Sequence, residues 1–178
     1  MMCKHFISLT ALIAMAMTAN AAEPTDAAKV PHKVSNVTVN DLSGNPTTLP
    51  MWGEKNLMIF YVDPDKHKQN EDFTIELEEN HRASGENLYG FGVMNLKDAP
   101  MVPNGLARKM AAKRTAQNGA TVLADQDRVL STNWQLGDCN NKFVLMIISK
   151  EGELVFLRKG ELSDEDKAEF YRVIEKYK

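Results

Sequence analysis

Leu57-Met58-Ile59-Phe60-Tyr61-Val62 is apolar at every position and stops abruptly at Asp63-Pro64-Asp65. A strand with one wet face alternates apolar and polar residues. A strand apolar throughout has to be covered on both sides. Such a strand belongs in the middle of a sheet flanked by helices. A second run, Phe143-Val144-Leu145-Met146-Ile147-Ile148, makes the same demand. The 178 residues suffice for one domain of ordinary size.

The segments between these runs supply the expected cover. Val34, Val37 and Val39 lead a strand into the turn Asp41-Leu42-Ser43-Gly44-Asn45-Pro46, and Trp52-Gly53-Glu54-Lys55-Asn56 is a second turn. Residues 70–83 read as a helix capped by Asn70. Glu71 and Asp72 lie at its positive end, and Phe73 and Leu77 share its buried face. Residues 88–96 read as a strand, and Pro100 and Pro103 mark a rigid loop. Asn104 can cap a helix that ends at Asn118-Gly119. Its buried stripe is expected at Leu106 and Met110, with Arg108, Lys109, Lys113 and Arg114 mostly outside it.

A short strand over 121–124 ends at Asp125, and residues 128–134 form a short helix. Residues 143–150, the Glu151-Gly152 turn and residues 153–158 make a hairpin. Ser163 and Asp166 have the spacing of a capping box, and Phe170, Val173, Ile174 and Tyr177 repeat at helical spacing behind them. Strands alternating with helices imply parallel pairing, and the terminal hairpin adds antiparallel edges. The expected fold is a mixed three-layer α/β domain over residues 34–178.

The first residues are an address. Lys4 and His5 precede a largely apolar stretch over 6–17, and Ala19-Asn20-Ala21 offers small residues to a signal peptidase. Twelve residues rise only about 18 Å as a helix, against roughly 30 Å of hydrocarbon, so no stable membrane insertion is expected. Residues 1–21 are therefore expected to be a cleaved signal, residues 22–33 a flexible leader, and the destination the periplasm. The net charge of -3 opposes nucleic-acid binding. Cleavage would leave one cysteine, Cys139, and so no disulfide within the chain. Asp138 beside it, with no adjacent cation, disfavours a reactive thiolate.

The order of elements resembles the thioredoxin fold, in the version with an extra helix and strand found in peroxiredoxin-like and cytochrome-maturation proteins. The carriers are residues 120–137, which read strand, Asp125, short helix, Trp134-Gln135-Leu136-Gly137, and the closing hairpin 147–156 followed by Lys159-Gly160. More narrowly, residues 125–130, Trp134 and Gly160-Glu161-Leu162 resemble the YtfJ-like family of periplasmic proteins. The resemblance implies a thioredoxin-like three-layer α/β/α domain with an inserted αβ unit.

The departure from active thioredoxins is sharper than the match. Their Cys-x-x-Cys follows the central strand, where this chain reads Tyr61-Val62-Asp63-Pro64-Asp65-Lys66-His67. Dithiol exchange needs a second thiol to resolve the mixed disulfide, and a peroxiredoxin's attacking Cys would sit in this same loop. The proline that those enzymes hold in cis before the hairpin is missing too, with Asn140 and Asn141 in its neighbourhood. A fold so read does not carry its usual chemistry.

The expected function is an exported binding or accessory module for a periplasmic protein or peptide, with no catalytic residue, metal ligand or cofactor. Ligands of open α/β sheets gather at the carboxyl ends of strands. The candidate binding residues are accordingly Tyr61, Asp63, Asp65, Cys139, Asn140 and Asn141. The alternative is a single-cysteine redox or peroxidase-like protein that uses Cys139 with an external thiol. Asp63-Pro64-Asp65 also resembles the Asp-x-Asp of haloacid-dehalogenase-like phosphatases. His67 stands where those want a Thr, and the terminal hairpin suits that fold poorly. A cation site built from Asp63, Asp65, Asp125 and Asp127 would have to bridge two strand spacings, roughly 10 Å.

Overall fold

The computed structural model describes residues 29–99 and 103–178. The signal segment, most of the leader and Pro100 lie outside the described residues. Twelve elements follow in chain order. β1 is His32–Lys33, β2 Thr38–Asn40, β3 Pro46–Thr48 and β4 Asn56–Val62; α1 is Glu71–Asn80 and β5 Leu88–Asn95. α2 is Asn104–Asn118, β6 Val122–Asp125, α3 Val129–Asn133, β7 Phe143–Ile148, β8 Glu153–Lys159 and α4 Asp164–Ile174. One eight-stranded sheet runs β1-β8-β7-β4-β5-β6-β2-β3. β4, β5 and β6 are parallel, and β7 pairs antiparallel with both β4 and β8. The fold is thioredoxin-like, with α2 and β6 as the additional helix and strand.

The register sorts the core into two layers. Leu57, Ile59 and Tyr61 of β4, with Val144, Met146 and Ile148 of β7, meet Leu130 and Trp134 of the α3 region. Met58 of β4, with Leu145 and Ile147 of β7, meets Phe73 and Leu77 of α1 and Phe170 and Ile174 of α4. Each such side chain, fully buried, contributes about 1.5–3 kcal/mol. That burial on both faces is why β4 and β7 carry no polar alternation. The capping box of α4 forms as its spacing implies: Ser163 Oγ accepts from Asp166 N, and Ser163 N donates back to the Asp166 carboxylate.

Three expectations need correction. The end of the leader is docked. His32 and Lys33 pair with Leu154 and Glu153, and Val34 N donates to Gly152 O at 2.9 Å. Gly152 has φ +74, and a Cβ there would stand 3.0 Å from Val34 O, so this close approach requires glycine. Asn70 does not cap α1. It takes a left-handed conformation and spends its amide on the chain before α4, donating to Gly160 O and accepting from Leu162 N. The Asp41–Asn45 turn ends β2 as its residues imply. It folds the chain back into a third short strand, β3, which pairs antiparallel with β2. Leu106 and Met110 are not the buried stripe of α2. They are 52% and 53% exposed, while Ala107 is buried against Leu96 and Ala124. The sheet under α2 is close enough that a small residue makes the contact.

Candidate functional site

Three parallel strands end side by side, and each delivers a polar side chain where its apolar run stops. β4 delivers Asp63, β5 delivers Asn95 and β6 delivers Asp125; all three are 0% exposed. Buried polar groups need partners, and those partners define the site.

Asp63 is spent on backbone. Its Oδ1 accepts from Asp65 N and its Oδ2 from Asn141 N, both at 2.9 Å, while Asp63 N donates to Lys142 O. It thereby ties the loop after β4 to the loop before β7. Asn141 sits at φ +53, and Asn140 and Asp65 are exposed. Among the described residues the only cis peptide bond is Val30-Pro31, so Asn140-Asn141 occupies the loop before β7 without cis geometry.

Asp125 accepts four hydrogen bonds: from Asp127 N, Val129 N, Leu130 N and the Tyr61 hydroxyl. It anchors the start of α3 to the end of the sheet. Tyr61 is 1% exposed. Burial, and then the Asp125 carboxylate, push its hydroxyl pKa well above the ordinary value. Tyr61 and Asp63 are therefore internal braces and do not reach the surface as ligand contacts, because a side chain on a doubly covered strand points into a packed layer. Asp63 and Asp125 end on opposite sides of β5 with their oxygens taken by separate backbone groups. Among the described residues no cluster of His, Cys, Asp or Glu is arranged to hold a metal ion.

An open cleft of about 600 Å³ lies beside α3, lined by Asp98, Arg128, Ser131, Gln135, Cys139 and Asn140 among others. Sequence reasoning missed Asp98 and Arg128. Asp98 is buried. It accepts from Arg128 Nε at 2.6 Å and from Asn95 Nδ2 at 2.6 Å, and Arg128 Nη2 also contacts its carboxylate. The hydrogen bond that Arg128 donates to Asp98 pushes the Arg128 pKa further up. Arg128 is exposed, takes φ +58 and lines the cleft. The findable signal was positional: Asn95 closes β5 just as Asp63 closes β4, and Asp98 follows in the next turn.

Cys139 lines the cleft but is only 3% exposed, with Sγ 3.5 Å from Gly137 O. Burial pushes its thiol up to about 11; Lys159 opposes this and Asp138 adds to it. Asp138 itself is held below the usual carboxylate range by its hydrogen bond from Lys142. Of the six candidate residues, the structure brings Cys139 and Asn140 to the cleft. Tyr61, Asp63, Asp65 and Asn141 do not line it: Tyr61 and Asp63 are buried, and Asp65 and Asn141 give their backbone N–H groups to Asp63.

No family model and no curated protein sequence matches the chain. Solved structures do. A protein described as a disulfide isomerase from Bacteroides thetaiotaomicron is 14% identical, with TM-score 0.60 over 86% of this chain and 94% of that one. A peroxiredoxin-like protein from Aquifex aeolicus is 14% identical, with TM-score 0.59 over 85% and 90%. The exposed lipoprotein thioredoxin of Streptococcus pneumoniae is 13% identical, with TM-score 0.57 over 78% and 99%. At this identity the likeness establishes the fold alone: the chain has the architecture of thioredoxin-fold, thiol-disulfide oxidoreductase-like proteins.

Proposed function

We propose that the chain is an exported, YtfJ-like binding or accessory module of the periplasm that lacks dithiol chemistry and engages a protein or peptide at the α3 cleft. The observation that carries this reading is the loop after β4. Where active relatives of the fold place a cysteine pair, this chain places Asp63, buried and consumed by two backbone N–H groups. The pre-β7 loop is tied to it through Asn141 N, and in this reading an extended segment pairs with backbone groups that the loop's own bonds leave over. Among the described residues no helix is long and apolar enough to cross a membrane, which is compatible with an exported molecule.

Single-cysteine chemistry is the second reading, favoured by Cys139 lining the cleft and by the redox names of the structural neighbours. Burial raises the Cys139 thiol to about 11, so the thiolate is scarce at pH 7, which weighs against it. Two assays decide. The purified protein, without a helper thiol, is expected to reduce neither insulin nor peroxide at enzyme-like rates; turnover there overturns the non-redox reading. Crosslinked capture from periplasm with the parent and with Cys139→Ser is expected to retain the same partner. Loss of that partner in the serine variant transfers the proposal to thiol chemistry.

A further inference from the structure

α1 and α2 cover the same face of the sheet. Met58 is opposite Gly90 and Val62 is opposite Met94, which in turn is opposite Ala124. Side chains two apart on a strand share a face, so Met58, Met94 and Ala124 project to one side. α1 packs on Met58, and Ala107 of α2 packs on Ala124 with Met94 against them.

The outward surfaces of these two helices are opposite in sign. α1 exposes Glu71, Asp72, Glu78 and Glu79 and carries no cation, and α2 exposes Lys109 and Lys113 and carries no anion. Each also exposes apolar side chains inside its charged stripe. On α1, Asp72, Ile75 and Glu79 fall at i, i+3 and i+7. On α2, Leu106, Lys109, Met110 and Lys113 fall at i, i+3, i+4 and i+7, and all seven residues are exposed. Ile75, Leu106 and Met110 are three of the four large hydrophobic residues exposed among the described residues.

Asp72, Glu79, Lys109 and Lys113 have no ion pair within the chain among the described residues. α1 also has no basic residue in its last turn, where its own Glu79 opposes the helix dipole.

A face with an acidic and a basic apolar stripe side by side is its own complement. A two-fold axis between them sets each α1 against the partner's α2, twice. We infer that this chain forms a two-fold dimer through its α1–α2 layer, with Asp72 and Glu79 of one copy facing Lys109 and Lys113 of the other around Ile75, Leu106 and Met110. α3 lies on the opposite face of the sheet, so its cleft stays open in such a dimer. The inference does not depend on what the cleft binds.

Sedimentation equilibrium of the purified protein tests it. A concentration-dependent dimer is expected, weakening as salt rises. Lys109→Glu/Lys113→Glu and, separately, Asp72→Lys/Glu79→Lys are each expected to weaken self-association by about tenfold or more. An equimolar mixture of the two is expected to regain it as a heterodimer, because both contacts are then attractive again. A parent monomeric at every concentration, variants that dimerise like the parent, or a mixture that fails to recover would each overturn the inference. Should a charge-reversed variant lose its far-UV circular dichroism, Leu106→Gln/Met110→Gln replaces it; dimerisation unchanged in that variant overturns the inference equally.

Discussion

Asp125→Asn puts the architecture of the site under the most direct strain. The native carboxylate accepts from Asp127 N at 3.2 Å and Val129 N at 2.8 Å on Oδ1, and from Leu130 N at 2.9 Å and the Tyr61 hydroxyl at 3.2 Å on Oδ2. An amide keeps one oxygen. If that oxygen serves Asp127 and Val129, the NH₂ group faces Leu130 N–H, donor against donor, at a residue that is 0% exposed. The Tyr61 hydroxyl can rotate and accept; Leu130 N–H cannot. An orphaned buried donor costs about 1–3 kcal/mol. The two remaining backbone bonds lose their charge assistance, roughly another 1 kcal/mol together. A total of about 3 kcal/mol is a large share of the roughly 5–15 kcal/mol that holds a domain folded.

Urea denaturation followed by the fluorescence of Trp134, buried with its indole N–H on Ser35 O, reads the loss directly. Tyr61→Phe in the parent is expected to cost about 1 kcal/mol. In the Asp125→Asn background that cost should differ by at least about 0.5 kcal/mol, because the two groups share one bond. An Asp125→Asn protein within about 0.5 kcal/mol of the parent, at unchanged m-value, would refute the reasoning.

Other expectations rest on independent contacts. The thiol of Cys139 is raised in the folded state, so the unfolded chain ionises first. Its contribution is complete below about pH 9 and is lost as pH climbs through about 11. The parent should therefore lose about 2 kcal/mol more than Cys139→Ser over that interval, and iodoacetamide should label Cys139 rapidly only after denaturation. Asn70→Ala removes both hydrogen bonds to the Gly160–Leu162 segment and leaves an alanine at φ +62. A loss of about 2 kcal/mol is expected in thermal unfolding, with Asn70→Gly recovering only the backbone part. Ser163→Ala should cost about 1 kcal/mol by dismantling one half of the α4 capping box. Leu106→Gln should change monomer stability by less than about 0.5 kcal/mol, since the side chain is half exposed; a large loss would restore the buried stripe that its spacing suggests.

Some of these features are visible in the chain without any fold. β4 and β7 can be read because apolarity at every position has one physical solution, a strand covered twice. The α4 cap can be read because Ser163 and Asp166 meet within a single turn. Missing cysteines are equally plain, since the loop after β4 has no sulfur to offer. Asn70 misled because a cap and a tether use the same amide, and only the position of Gly160 and Leu162 distinguishes them. Leu106 and Met110 misled because helical spacing identifies a stripe but not which stripe faces the sheet.

The cleft belongs to the other category. Arg128 lies 30 residues beyond Asp98, and nothing local relates it to the Asn95–Asp98 turn. The parallel register of β4, β5 and β6 brings their ends level, and that alignment sets Asp98 beside Arg128 and the Tyr61 hydroxyl on Asp125, whose other three bonds go to backbone within five residues. Interactions within a few residues are written in the order of side chains. Those between distant segments arise only when strands choose neighbours, and that choice is made by the burial of the whole sheet at once.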